Sequence, residues 1–430
     1  MTIHRQLKKM MALLLALCPF FRHYNLFGIN VAILVIICAS AWMTIINLQS
    51  KKYSLMNQFA GISIVIFMFI YALIDAMIVH IDSDAQLISS LRQIVLFFMM
   101  IIVSVNCFLD VEMRSLHNFC VENISIIMSI VIVLQYALFY GFGVSLGHER
   151  AFLFPFQNLF IESVKNYLGQ SYMVIDGLFR PSAFFLEPAH YSQYCILGLA
   201  SLFSTEKNFL TVKKVIISIG IFMTTSGIGI ASVLAVWVLA LYFENKKITS
   251  NHIIKIVVST ILMAAFFTVL YLTVPIFQSS VNRVIAPGDG YNAFEGRLGS
   301  RFLIVTLQGV SFVFGKGFKN IPTWGSLDTP YFMTGIVELM YCQGILGMVI
   351  FLACSFNMFW ELKRKAMLGC FLGFLCALIF IVGSDWFSPL TIITFLPFLF
   401  KGPLPIKPLQ MKRGKNEGRK ESMLSNSYIQ

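Results

Sequence analysis

Apolar runs near the length of a bilayer crossing follow one another along this chain with short polar connections between them, and that pattern restricts the fold more than any motif. A hydrocarbon core takes about 20 apolar residues per helix. Runs of this kind lie near 10–21, 29–48, 59–79, 94–109, 124–143, 188–204, 213–226, 228–243, 254–275, 333–355, 367–383 and 388–400. They are continuous and do not alternate over ten-residue segments, so helical spans are expected and not the strands of a barrel. The fold class predicted is all-α: a polytopic integral membrane protein of about twelve transmembrane helices. Composition agrees, because 58% hydrophobic residues, 12% charged residues and a mean hydropathy of +0.79 exclude an ordinary soluble domain.

Two runs test the count. MALLLALCPFF, in the first, follows Arg5, Lys8 and Lys9 like the core of a signal peptide, but no small-x-small cleavage site comes after it. TTSGIGI interrupts the apolar stretch 213–243 and suits either a kinked span or a tight hairpin. Parity selects two helices there. With twelve spans, Lys8, Arg114, Lys207, Lys213, Lys214, Lys363, Arg364, Lys365 and the basic end all face the cytoplasm, as lysine and arginine in short loops do. Both termini are then cytoplasmic. Residues 1–400 form a single membrane domain, and the basic tail 401–430 is expected to be disordered. The net charge of +12 follows from this topology and the tail, so no nucleic-acid partner is expected.

Nine cysteines could suggest disulfides or a metal, but eight lie in apolar runs and Cys120 is assigned to an inner loop, with no spaced Cys/His cluster. There is no phosphate-binding Walker loop, no GxGxxG and no GxSxG. Neither a metal nor another cofactor is expected.

Two long outer segments remain, 144–187 and 276–332, both rich in aromatic and aliphatic residues, and loops of this length usually carry function. The first ends in FRPSAFFLEPAHYSQY, residues 179–194. Pro188 suits the first position of a helix, with Glu187 as its cap. Tyr191 and Tyr194 then share a face with Glu187 near the outer interface; they fit the aromatic belt as well as a site. Arg180, Glu187 and His190 entering a bilayer together are costly unless a partner or substrate uses them. The second segment contains FEGRLGSRFLIVTLQGVSFVFGKGFKN, in which Leu298, Phe302, Val305, Gly309 and Phe312 form one helical stripe and Arg297, Arg301, Gln308 and Ser311 another. An interfacial helix is expected. Its arginines can hold an anion between them or snorkel to lipid headgroups. GKGFKN adds Lys316 and Lys319 on two flexible glycines, a phosphate-approach turn. Asp75 and Glu338 are acids in the outer halves of their spans and Asp385 lies at an outer turn, while Asp82 and Asp84 read as ordinary loop acidity.

Sugars linked to a lipid pyrophosphate fit these requirements: they are anionic, sit at the outer leaflet and need arginines but neither nucleotide nor metal. RPSAFFLEPAHYSQY resembles the segment after the first long periplasmic loop of Wzy-type O-antigen and capsular polysaccharide polymerases. GRLGSRFLIV, FGKGF and ELMYCQGILG resemble their second loop and the next span. The resemblance implies a metal-independent glycosyltransferase of the C type in the bacterial inner membrane, which joins undecaprenyl pyrophosphate-linked oligosaccharides into polymer for lipopolysaccharide or capsule. It implies a flippase and a chain-length regulator as partners besides membrane lipids. Arg180, Arg297, Arg301, Lys316 and Lys319 would take the pyrophosphates, with His190 or Glu187 as base and Tyr191, Tyr194 and Glu338 in support. The related O-antigen ligases usually carry a histidine before the tenth span, where this chain reads SLDTPYFMTG. A ligase is thus the first alternative, and a non-enzymatic polysaccharide flippase or transporter the second.

Overall fold

The computed structural model describes residues 2–21, 24–26, 29–48, 66, 69–74, 76–77, 84–144, 174–175, 178–185, 187–206, 208–244, 302–317, 323–324, 329–330 and 335–364, with scattered positions between 258 and 278 and at 397. Of these residues, 84% are helical. The elements in chain order are α1 (Thr2–Phe21), the hairpin β1 (Asn25–Leu26) and β2 (Ile29–Asn30), α2 (Val31–Leu48), α3 (Asp84–Val103) and α4 (Val111–Phe142). Then come the hairpin β3 (Val174–Ile175) and β4 (Leu178–Phe179), α5 (Pro188–Thr205), α6 (Val212–Met223) and α7 (Gly227–Glu244). The last are α8 (Phe302–Val305), α9 (Val310–Phe314), the hairpin β5 (Thr323–Trp324) and β6 (Thr329–Pro330), and α10 (Gly335–Arg364). Each hairpin is a two-stranded antiparallel pair.

The longest helix organises the rest. α4 starts where the Asp110 carboxylate accepts the backbone N–H groups of Glu112 (2.8 Å) and Met113 (3.2 Å), and ends where Gly143 turns left-handed at φ +66°. Its 32 residues extend about 48 Å at 1.5 Å per residue. Among the described residues it is the one helix long and apolar enough to cross a bilayer. α1, α5 and α6 pack against it, and α7 packs on α5.

The faces of α4 are inverted relative to a water-soluble helix. Arg114, His117, Asn118, Glu122, Ser125, Ser129 and Gln135 are buried, whereas Ile127, Ile130, Val133 and Leu134 are exposed. Glycines allow the buried seam to close. A Cβ on Gly198 would collide with Ser125, one on Gly220 with Tyr191 and Ser129, and one on Gly229 with Ser192. Small residues and hydroxyls at such contacts let helices approach closely and satisfy each other's polar groups. Glu122 Oε1 accepts from Ser201 Oγ (2.5 Å) and Thr205 Oγ1 (3.1 Å) on α5.

Several expectations meet the structure directly. TTSGIGI separates two helices, α6 and α7, with Thr225 at φ +53° in the turn between them. α4 begins well before its apolar run, because the Asp110 cap and a buried polar face extend the helix back to Val111. Cys120 is therefore helical and half-buried, not a loop residue. Arg114 and Lys214 are equally not solvated loop charges: both are buried, and Lys214 Nζ donates to the carbonyls of Asn208 (2.7 Å) and Phe209 (3.3 Å) over the Phe203 ring. The interfacial helix of the second long segment is broken into α8 and α9, since Gly309 adopts φ +57° between them. Its buried residues are Leu303 and Leu307, while Val305 and Phe312 of the expected stripe are exposed. The run 367–383, all of 388–400 but Pro397, most of 254–275 and the tail 401–430 lie outside the described residues.

Candidate functional site

The site is built from the strand β4, the turn that follows it and the first turns of α5. Val174 pairs with Phe179 and Ile175 with Leu178, which delivers the chain to Arg180. Phe179 stacks on Phe139 of α4 with centroids 4.3 Å apart and planes 10° apart, and its N–H reaches Tyr140 Oη at 3.4 Å. The turn is closed within itself by Ser182 Oγ donating to the Phe185 carbonyl (2.7 Å) and by the Phe185 N–H donating to the Ser182 carbonyl (2.9 Å). Ala183 stands at φ +50°, a conformation that disfavours a residue with a Cβ. Its N–H donates to Gln135 Oε1 of α4 at 2.9 Å, and both residues are buried. Phe185 then wedges against Phe20 of α1 at 4.5 Å and against Tyr194 at 5.6 Å.

Arg180, Glu187 and His190 lie along this pinned stretch, each half-buried. They bracket one turn, so a guanidinium, a carboxylate and an imidazole come from a segment of eleven residues held by α1 and α4. Glu187 has extended N-cap backbone and Pro188 takes the first helical position, but the carboxylate makes no capping hydrogen bond. The cap role expected for its side chain is not what the structure has. A guanidinium, a carboxylate and an imidazole supply the groups needed to hold an anionic group and move a proton to or from a hydroxyl.

The two tyrosines belong elsewhere. Both are buried, and their hydroxyls have partners inside the bundle. Tyr191 Oη lies 2.7 Å from Ser129 Oγ, which in turn donates to the Ser125 carbonyl at 2.7 Å; Tyr191 is thus the donor to Ser129. Tyr194 Oη donates to the Ala16 carbonyl of α1 at 3.0 Å. They anchor α5 and leave the polar ends of the site to Arg180, Glu187 and His190.

Lys316 and Glu338 lie on a second assembly. α10 carries a non-helical break at Gly344, at φ +65°, and the segment after α9 docks on the carbonyls freed before it. The Lys316 N–H donates to the Tyr341 carbonyl (2.9 Å) and the Gly317 N–H to the Cys342 carbonyl (3.1 Å). The Tyr71 hydroxyl reaches the carbonyls of Gln343 and Phe314. Gly315 and Gly317 are at φ +84° and +104° and buried, so they are fixed points of a docked turn and not flexible flanks of Lys316. Lys316 is half-buried, and Glu338 is buried in the first turn of α10, where the helix dipole favours an acid. Arg297, Arg301 and Lys319 lie outside the described residues, as does Asp75.

Sequence reasoning passed over Gln135. A lone amide within an apolar run of α4 is the signal that could have found it, because a buried amide needs partners. No group of three or more potential metal ligands occurs among the described residues. No protein-family model and no curated protein matches the chain.

Proposed function

We propose that this chain polymerises lipid-linked oligosaccharide repeat units at the outer face of the bacterial cytoplasmic membrane. In this reading about twelve helices span the bilayer, both termini are cytoplasmic, and the segments 144–187 and 276–332 are outside. The observation that carries it is that Arg180, Glu187 and His190 flank one braced turn at the start of α5, whose tyrosine hydroxyls are bonded inside the bundle. Arg180, joined by Arg297, Arg301, Lys316 and Lys319, holds the pyrophosphates of two undecaprenyl carriers. His190 or Glu187 accepts the proton of the acceptor sugar hydroxyl; that oxygen bonds to the anomeric carbon of the donor sugar as the carbon–oxygen bond to pyrophosphate breaks. The carrier pyrophosphate leaves with the electron pair, and the guanidinium groups stabilise its charge. The bond is already activated by its leaving group, so the reaction needs no nucleotide. Membrane lipids surround the apolar exterior, and a flippase and a chain-length regulator are the expected protein partners.

The inverted faces of α4 support the membrane setting. The seam of serines and glycines is closed by direct side-chain packing, which favours an enzyme over a transporter that would carry sugar between these helices. The test is the surface polysaccharide pattern of a deletion strain complemented with variants. Arg180→Ala is expected to abolish long polymer with insertion unchanged, and Arg180→Lys to restore it poorly, since lysine lacks the bidentate fork. Single repeat units left on the acceptor lipid identify a polymerase. Polymer stranded on its carrier identifies a ligase, and undiminished polymer with Arg180→Ala refutes the role of that residue.

A further inference from the structure

We propose that Gln135 is a positioning residue for this site: by accepting the Ala183 N–H from within the bundle, it fixes the backbone on which Arg180 and Glu187 are carried. The inference rests on the polymerase reading of that site. Its physical basis is local. Gln135 is almost fully buried, and its Oε1 lies 2.9 Å from an N–H that stands in a turn at φ +50°. A non-glycine residue keeps that conformation only where its surroundings enforce it. Among the described residues, α4 supplies the enforcement: Gln135 at Ala183, and one helical turn further on, Phe139 and Tyr140 at Phe179. Arg180 is three residues before Ala183 and Glu187 four residues after it, so a shift at Ala183 is transmitted to both. Ser182 and Phe185 close the turn on itself but bind nothing on α4 through their hydrogen bonds, so they set its shape without setting its place.

The reach of the side chain makes the inference specific. Asparagine keeps the amide but is one methylene short, leucine keeps the volume without an acceptor, and glutamate keeps an acceptor oxygen at the same distance. The experiment uses the full chain in lipid nanodiscs with an undecaprenyl pyrophosphate-linked repeat unit, and it reads kcat and KM separately at matched amounts of folded protein. Gln135→Leu and Gln135→Asn are expected to lower kcat by about 10- to 100-fold, the usual consequence of moving a catalytic group by about 1 Å, with KM changing less. Gln135→Glu should recover most of that loss. Ala183→Gly, which removes the Cβ conflict at positive φ, should partly restore Gln135→Leu.

Ser218→Ala is the control for a purely structural effect, because it removes the oxygen that accepts from Trp237 Nε1 at 3.0 Å, well along the bundle from the turn. It should lower the unfolding midpoint and leave kcat unchanged. Wild-type kcat in Gln135→Leu, or an equal loss in Ser218→Ala, overturns the positioning role while the polymerase reading stands. A wild-type protein that forms no polymer from the lipid-linked unit overturns the reading and this inference with it.

Discussion

The Tyr191 hydroxyl begins a hydrogen-bond chain that passes through Ser129 to the Ser125 carbonyl, wholly inside the bundle. Removing it leaves Ser129 still bonded to Ser125, so the loss is a single neutral hydrogen bond. Tyr191→Phe is therefore expected to cost about 1 kcal/mol. Gly220→Val on the facing helix is a different matter, since any side chain there enters the space of Tyr191 and Ser129, and it should cost at least about 2 kcal/mol. Unfolding midpoints of the two variants in one detergent check this, and an equal shift would refute the close-packed seam. At this scale the sequence was a partial guide. Pro188 as the first helical residue puts both tyrosines in the first two turns of α5, where they are, yet which way their hydroxyls turn depends on Ser129 and Ala16, far away in the chain.

At the scale of elements, helix ends and breaks carry the information. Gly344 interrupts α10, and the carbonyls it frees are taken by the backbone of Lys316 and Gly317 and approached by Tyr71. Gly315 faces the Cys342 carbonyl at positive φ, so Gly315→Ala is expected to cost at least about 2 kcal/mol. Gly141 sits in α4 with open space around it, and Gly141→Ala should be neutral or stabilise by up to about 1 kcal/mol. Thermal unfolding of both variants decides it; similar effects would contradict the docked turn. The break was not legible from hydropathy, because Gly344 lies in an apolar run where a glycine is compatible with an ordinary helix. The division of 213–243 was legible, because TTSGIGI places polar and flexible residues together.

Across the whole molecule, two charge clusters at the ends of the helices tie elements together. Lys8 of α1 holds Asp110 (2.6 Å) and Glu112 (3.1 Å) at the start of α4. Burial pulls the Lys8 ammonium down, but hydrogen bonds and charge from Asp110 and Glu112 outweigh it and leave it above the ordinary 10.5. Glu206, between α5 and α6, is pushed up by burial and pulled down more strongly by Thr211 and Lys213, so it lies below 4.5. The signs differ. The raised Lys8 contributes stability that is complete below pH 10.5 and lost as pH climbs through its folded value; the depressed Glu206 contributes stability that is present above pH 4.5 and lost as pH falls through its lower folded value. Unfolding midpoints against pH should show Lys8→Met converging with wild type at alkaline pH and Glu206→Gln converging at acid pH. Near neutrality Lys8→Met should cost about 1.5–3 kcal/mol, the worth of hydrogen bonds to a charged group. Convergence at the same end for both would refute the assignment.

The sequence by itself determined the helical class, the boundaries of α5 and the split between α6 and α7, because apolar length, proline at the first helical position and a polar glycine-containing interruption act through neighbours in the chain. It also singled out Arg180, Glu187 and His190 as charges in an apolar setting. Tertiary structure decided the rest. That Arg114 is buried and that Gln135 meets Ala183 follow from contacts between segments distant in sequence. Hydropathy records how a residue partitions from water, and it carries nothing about which polar group on another helix will meet it.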